Sequence, residues 1–378
     1  MKYMIIAGEV SGDLHASGLI KGIKKRDSDA DFCFFGGDRM SREVGHGPEV
    51  HCDEMNVMGF SAVLRSLPRI ARHLRKASGL LETYRPDALI LVDYPSFNLR
   101  LAKRAAGLGI PVHWFISPKI WAWKEWRIKD IRRYVTHMYS ILPFEVEYYK
   151  SKDYEVNYVG NPSVAEMDAE MRHLPPLKHF LERQGVEDDR PVIALIPGSR
   201  RSEVRNNLPV MIRAAAAFPE CQIIVGGTSS IPLKFYREVA ELPGLQVVFG
   251  YTHVLMKHAK AALVTSGTAT LETALLGTPQ VVCYRANGSR LSYNIMEKLL
   301  KVRFVSLPNL IVDQEIVREL LLHECTQENI VRALRPLLQP SPERDRMLAG
   351  YKEMRRRLGS GIAADNAADA IVSFTRGS

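Results

Sequence analysis

The chain has 378 residues, 46% hydrophobic and 25% charged, a globular composition long enough for two domains. No apolar run approaches the roughly 18 residues that span a bilayer. The five cysteines form no C-x-x-C pair and the histidines show no H-x-x-x-H spacing, which argues against zinc and for a reducing, cytoplasmic compartment. A net charge of +9 calls for an anionic partner, and without a zinc-finger or recognition-helix pattern nucleic acid gives way to anionic lipid or a phosphorylated substrate.

Tyr3–Ala7 reads as an apolar strand that begins at once after Met1 and is followed by Glu9 and Asp13, so no secretory leader is expected. The loop GEVSGD (Gly8–Asp13) opens a helix over Leu14–Lys25, which makes a candidate anion site. It is not G-x-G-x-x-G, so a nucleotide-dependent dehydrogenase is excluded. A second strand, Phe32–Phe35, runs into Gly36 and Gly37.

Between Val63 and Lys76, the apolar residues Val63, Leu67, Ile70 and Leu74 take one helical face, and Arg65, Arg69, Arg72 and Lys76 another. Pro68 is expected to start a fresh helix after Ser66. Such a helix is either a core helix with a solvated face or a contact with an anionic membrane surface. The apolar lead-in Asn56–Phe60, with Met58 and Phe60, supports the second.

Ala88–Val92 is a buried-strand run ending in Asp93, where open α/β sheets place their ligands, and a helix follows over Leu99–Ala106. A loop aspartate is often only a turn or cap residue; here Pro95 and Asn98 supply the turn and cap, which favours function for Asp93. Val112–Ile116 is a strand, and SPKIWAWKEW (Ser117–Trp126) holds three of the four tryptophans, either as core or as the wall of an apolar groove. His137–Leu142 and Val156–Val159 are strands flanking a short helix over Pro143–Lys150.

A Pro- and charge-rich stretch over Gly160–Arg190 reads as linker plus a helix, after which the alternation restarts. Strands are expected at Val192–Ile196, Gln222–Val225, Val247–Phe249, Ala262–Thr265 and Gln280–Tyr284. After the first comes PGSR (Pro197–Arg200), whose Arg200 suits a bidentate phosphate clamp. After the fourth come Ser266 and Gly267 in a tight turn, then a helix over Thr268–Leu276 whose free N–H groups and dipole favour a diphosphate. Glu272, at i+4 from Thr268, suits a ribose. Terminal helices are expected over Glu315–Leu322, Glu328–Leu338, Arg344–Leu358 and Ala363–Phe374.

The segments AGEVSGDLHA, FFGGDRM, DYPSFNLRLA, SPKIWAW, ILPFE, IPGSR, SGTATLE and VSLPNLI, in this order along the chain, resemble the bacterial lipid-A-disaccharide synthase family. The resemblance implies an α/β GT-B fold: two Rossmann-like, doubly wound parallel-sheet domains facing across a cleft, with C-terminal helices packing back on the first. On that basis residues 1–165 form the acceptor and membrane-facing domain, 166–190 the linker, 191–342 the UDP-sugar domain and 343–378 the returning helices. The implied reaction is inverting transfer of 2,3-diacylglucosamine from its UDP conjugate to 2,3-diacylglucosamine 1-phosphate (lipid X). No metal or cofactor is implied.

Carried onto this sequence, the resemblance makes Asp93 the general base, with Glu9 and Ser11 near the reacting centre. Ser199, Arg200, Ser266, Gly267, Thr268, Glu272, Arg285 and Asn309 become donor contacts. Met58, Phe60, Leu67, Arg69, Arg72 and Leu74 become the membrane and acceptor surface, on the cytoplasmic face of the inner membrane; a homodimer is compatible with this. The chain departs from the family pattern at Asn161, where G-H-P is usual, and at Leu322, which ends a stretch usually P-E-L-L-Q and has no group to hydrogen-bond a donor. Other UDP-sugar enzymes of the same fold, such as the undecaprenyl-linked N-acetylglucosamine transferase or a UDP-N-acetylglucosamine 2-epimerase, and a non-catalytic lipid-binding protein, are the alternatives.

Overall fold

The computed structural model describes the chain apart from residues 56–59, 184, 187–188, 241, 243, 286–302, 360–361 and 378; of residues 60–67 it describes the backbone alone. Two compact units emerge, Met1–Pro162 with Ser360–Ser378, and Ser163–Gly359.

The first unit holds a seven-stranded parallel sheet in the order β3-β2-β1-β4-β5-β6-β7. Its strands are β1 (Lys2–Ala7), β2 (Asp31–Gly36), β3 (Val50–His51), β4 (Ala88–Val92), β5 (Val112–Phe115), β6 (His137–Ser140) and β7 (Asn157–Tyr158). A strand covered on both faces has no use for polar alternation, which is why β4 reads ALILV with every residue buried. Alternate side chains still divide between two cores: Met4, Ile6, Leu89, Leu91 and Trp114 on one face, and Tyr3, Ile5, Ala7, Ile90 and Val92 on the other. The helix Ala363–Gly377 closes the second core against the helix Val10–Arg26, with Ala367, Ala368 and Ile371 among Ala16, Leu19 and Ile23. The approach is close: a Cβ on Gly22 would lie 2.9 Å from that of Ala368.

The second unit holds six parallel strands in the order β10-β9-β8-β11-β12-β13. They are β8 (Val192–Ile196), β9 (Gln222–Gly227), β10 (Gln246–Phe249), β11 (Ala261–Thr265), β12 (Gln280–Tyr284) and β13 (Arg318–Leu321). In both sheets the strand order reverses beside the first strand, between β1 and β4 and between β8 and β11.

Four expectations need correction. Arg318–Leu321 is an edge strand pairing with Val281–Tyr284, although Glu315–Leu322 has helical spacing; periodicity does not separate helix from strand over so short an apolar run. Pro68 lies inside one continuous helix, Phe60–Thr83. The proline is exposed and costs a single N–H donor, while Ile70, Leu74 and Leu80 pack on the sheet and carry the helix onward. Much of the expected linker folds within the second unit as helices Pro162–Met171 and Leu177–Arg183, which bury Val164, Met167, Phe180 and Leu181. The helix Pro342–Leu358, expected to return to the first domain, also belongs to the second unit: Tyr351 Oη donates to Thr278 O at 3.2 Å and Arg357 Nη1 to Ile311 O at 3.1 Å.

Candidate active site

Strand register gathers the first unit's candidates. Ala7 lies opposite Val92 and Val92 opposite Phe115, so the segments after β1, β4 and β5 leave adjacent strands at one level, at the topological switch point. Asp93 and Tyr94 both adopt left-handed backbone, with φ of 45° and 47°. Outside glycine this is uncommon and costs roughly 1–2 kcal/mol per residue, so neighbours must impose it. They do. Asp93 N donates to Phe115 O at 3.1 Å, Asn98 Nδ2 donates to Asp93 O at 2.7 Å, and Tyr94 Oη donates to Met55 O at 3.0 Å.

Asn98 thus serves the turn that Asp93 could otherwise serve. Burial raises the Asp93 pKa, against the opposing pull of the Lys119 ammonium and a hydrogen bond from the Tyr94 N–H. A half-buried carboxylate raised in this way, at a strand end, suits a proton acceptor. Glu9 occupies the extended N-cap position of the helix Val10–Arg26 without capping it by its side chain, and Ser11 is exposed on the first turn. Burial and the Glu9 charge together push up the Tyr94 phenol, so Glu9 and the Asp93 loop share one neighbourhood.

Three residues in this unit have roles that sequence reasoning missed. Asp13 accepts from the N–H groups of Gly37, Arg39 and Met40 at 2.7, 3.1 and 3.1 Å, so it caps the helix Asp38–Val44 instead of serving an anion loop. Glu145 is buried and accepts from Ser117 Oγ, Ser140 Oγ and Trp121 Nε1, which fixes the SPKIWAW segment and with it Lys119. The tryptophans divide: Trp121 braces Glu145, whereas Trp123 and Trp126 are 60% and 63% exposed. The segment is tied back to the Asp93 loop by Arg127 Nη2 donating to Ser96 Oγ at 2.8 Å.

In the second unit Ile196 lies opposite Val264, which sets PGSR and SGT side by side at that sheet's switch point. Gly267 has φ 149° and ψ −162°, which only glycine adopts readily, and among the described residues no side chain caps the helix Thr268–Leu275 that follows. Ser266 Oγ donates to Val305 O at 3.2 Å, fixing the turn, and Thr268 is exposed on the first turn. The neighbouring helix, Arg201–Ala215, differs. Glu203 accepts from Ser199 N at 3.0 Å, from Arg200 N at 3.2 Å and from Arg200 Nη1 at 3.1 Å. An anion reaching Ser199 and Arg200 therefore has to displace an internal carboxylate, while among the described residues none sits on the Gly267–Thr268 end.

Glu272 is half-buried one turn into its helix, and its Oε2 lies 3.3 Å from His253 Nε2, while His253 Nδ1 contacts Glu170. Burial opposes a charge on His253, but Glu272 and Glu170 outweigh it and raise its pKa to about 9. No motif marked His253 or Glu170, which lie 83 residues apart in the sequence. Arg285 N donates to Asn207 Oδ1 at 2.7 Å, with the arginine side chain exposed at the end of β12.

Asn309 requires a correction. It is fully buried, with Nδ2 donating to Val317 O and Glu319 Oε1 and Oδ1 accepting from Ile316 N and Val317 N, all at 2.8–2.9 Å. Two donors and two acceptor positions exhaust an amide, so Asn309 secures the 305–319 segment and has nothing left for a donor. Leu74 is corrected as well: it packs on the core beneath its helix, while Arg69 and Arg72 are exposed. Met58 and the side chains of Phe60 and Leu67 lie outside the described residues.

Solved structures share this architecture at low identity. The UDP-GlcNAc 2-epimerase from Neisseria meningitidis bound to UDP-GlcNAc matches with a TM-score of 0.67 over 100% of both chains at 13% identity. MurG of Acinetobacter baumannii matches with a TM-score of 0.55 over 100% of this chain and 99% of its own, also at 13% identity. They establish the fold, two Rossmann-like parallel-sheet domains of the GT-B kind. Sequence goes further. The lipid-A-disaccharide synthase of Myxococcus xanthus is 38% identical over 99% of this chain and 97% of its own, and that of Trichlorobacter lovleyi 36% identical over the same shares. With residues 3–368 also matching the family model described as lipid-A-disaccharide synthetase, the chain belongs to the lipid-A-disaccharide synthase family.

Proposed function

We propose that this chain transfers 2,3-diacylglucosamine from UDP-2,3-diacylglucosamine to the 6-hydroxyl of 2,3-diacylglucosamine 1-phosphate, with inversion at the anomeric carbon. The observation that carries this is Asp93, a carboxylate of raised pKa held in left-handed backbone at the switch point of the first sheet. The hydroxyl oxygen attacks the anomeric carbon, its proton passes to Asp93, and the bond to the UDP oxygen breaks. Negative charge grows on the departing diphosphate. The N–H groups at Thr268, the dipole of the helix Thr268–Leu275 and the Arg200 guanidinium supply the stabilisation, and Glu272 receives the ribose hydroxyls.

Both substrates carry acyl chains, so the enzyme works at a membrane surface, the cytoplasmic face of the inner membrane. The exposed Arg69, Arg72 and Arg75 on the helix Phe60–Thr83 suit anionic headgroups there. The test is UDP release. It should require the monosaccharide phosphate acceptor as well as the donor; release without acceptor, or conversion of the donor to its epimer, contradicts the proposal.

A further inference from the structure

We infer that His253 is a positioning residue for the donor: its ring, set between Glu170 and Glu272, holds the Glu272 carboxylate in place for the ribose. This rests on the reading of the helix Thr268–Leu275 as the nucleotide's grip. The three side chains come from three elements, Glu170 from the helix Pro162–Met171, His253 from Thr252–His258 and Glu272 from Thr268–Leu275. The ring is 23% exposed and carries a carboxylate at each nitrogen.

A neutral imidazole has one N–H. It donates to one carboxylate and turns a lone pair toward the other. The cation donates to both, so two carboxylates on opposite nitrogens select the protonated ring, and its raised pKa agrees. Only Oε2 of Glu272 is engaged by His253; among the described residues Oε1 has no protein partner and is left for a ligand hydroxyl. Without the ring, two carboxylates would face one another and Glu272 would swing on its own rotamers.

The helix that carries Glu170 is itself anchored within the second unit. Two residues before it in the same helix, Asp168 accepts from Arg355 Nη2 at 2.5 and 2.6 Å. Of the other elements packed on Thr252–His258, β8 and β9 carry no titratable side chain, and the helix Leu177–Arg183 carries Lys178, His179, Glu182 and Arg183.

The experiment measures UDP binding by calorimetry, and donor KM and kcat, for the full-length wild type, Glu272→Gln, His253→Gln and His253→Ala, from pH 7 to pH 10. Thermal melts verify that each variant is folded. His253→Ala should weaken UDP about tenfold, approaching Glu272→Gln, and His253→Gln, with an amide donor group but no charge, about threefold. Donor KM should rise much more than kcat falls. Wild-type affinity should decline more steeply than that of His253→Gln as pH rises through about 9. If Glu272→Gln weakens UDP while folded His253→Ala and His253→Gln bind as wild type does, His253 positions nothing and the inference is overturned. If Glu272→Gln itself binds UDP normally, the reading of Glu272 falls, and the inference with it.

Discussion

The ring of Tyr94 lies so close over Gly8 that a Cβ built on the glycine would meet Tyr94 Cδ1 at 2.5 Å. This contact joins the loop after β1 to the loop after β4, and Tyr94 is the residue next to the proposed base. Gly8→Ala should push the ring aside and move Asp93 with it. A destabilisation of about 1–3 kcal/mol is expected from the overpacking, together with a tenfold or greater fall in kcat. Chemical denaturation and steady-state kinetics would show both; wild-type turnover in the Gly8→Ala variant would mean that the contact does not set the Asp93 geometry.

Asp93→Asn should abolish turnover while leaving UDP binding intact. Stability moves the other way. Burial raises the folded-state pKa of Asp93, so its ionised form is penalised on folding, and the protein gains stability as pH falls through that raised value. Asparagine removes the penalty at neutral pH and tolerates left-handed backbone well. The variant should melt at the same or a higher temperature at pH 7. Wild-type kcat should fall on the acid side with a midpoint above the ordinary carboxylate range. A lower melting temperature with retained activity would refute both points.

Glu203 competes with any anion for Ser199 and Arg200. Glu203→Gln should cost about 0.5–1 kcal/mol of stability through the weakened helix cap, yet bind UDP as tightly as wild type or more tightly. Arg200→Ala should lower kcat/KM by about ten- to a hundredfold. Equal loss of UDP affinity in both variants would place the phosphates elsewhere.

Strand ends were the legible part of this site. Buried apolar runs such as Ala88–Val92 and Ala261–Thr265 stop abruptly at Asp93 and Ser266, and a doubly wound sheet gathers such ends at one edge. What stayed hidden was which polar groups the protein spends on itself. Asn309 and Asp13 resemble ligand residues in the chain but are consumed by backbone N–H groups 7 to 27 residues away. The His253 bridge depends on Glu170, 83 positions distant, and Glu145 reaches back 28 residues to Ser117. Local spacing carries no record of such partners. The edge strand Arg318–Leu321 was lost for a different reason: four residues are too few for a period to show.

Membrane attachment through the helix Phe60–Thr83 predicts a charge effect. Arg69→Glu with Arg72→Glu should reduce sedimentation with vesicles containing phosphatidylglycerol by on the order of tenfold at low salt. The loss should shrink as salt rises. Unchanged sedimentation would move the membrane contact to another surface.

The central claim is tested most directly by incubating the purified protein with UDP-2,3-diacylglucosamine and 2,3-diacylglucosamine 1-phosphate and analysing the lipids by mass spectrometry. The proposed reaction yields a tetraacyl disaccharide monophosphate and an equal amount of UDP, and neither forms with Asp93→Asn. Disaccharide absent with both lipids supplied to folded protein, or formed equally well by the Asp93→Asn variant, would contradict it.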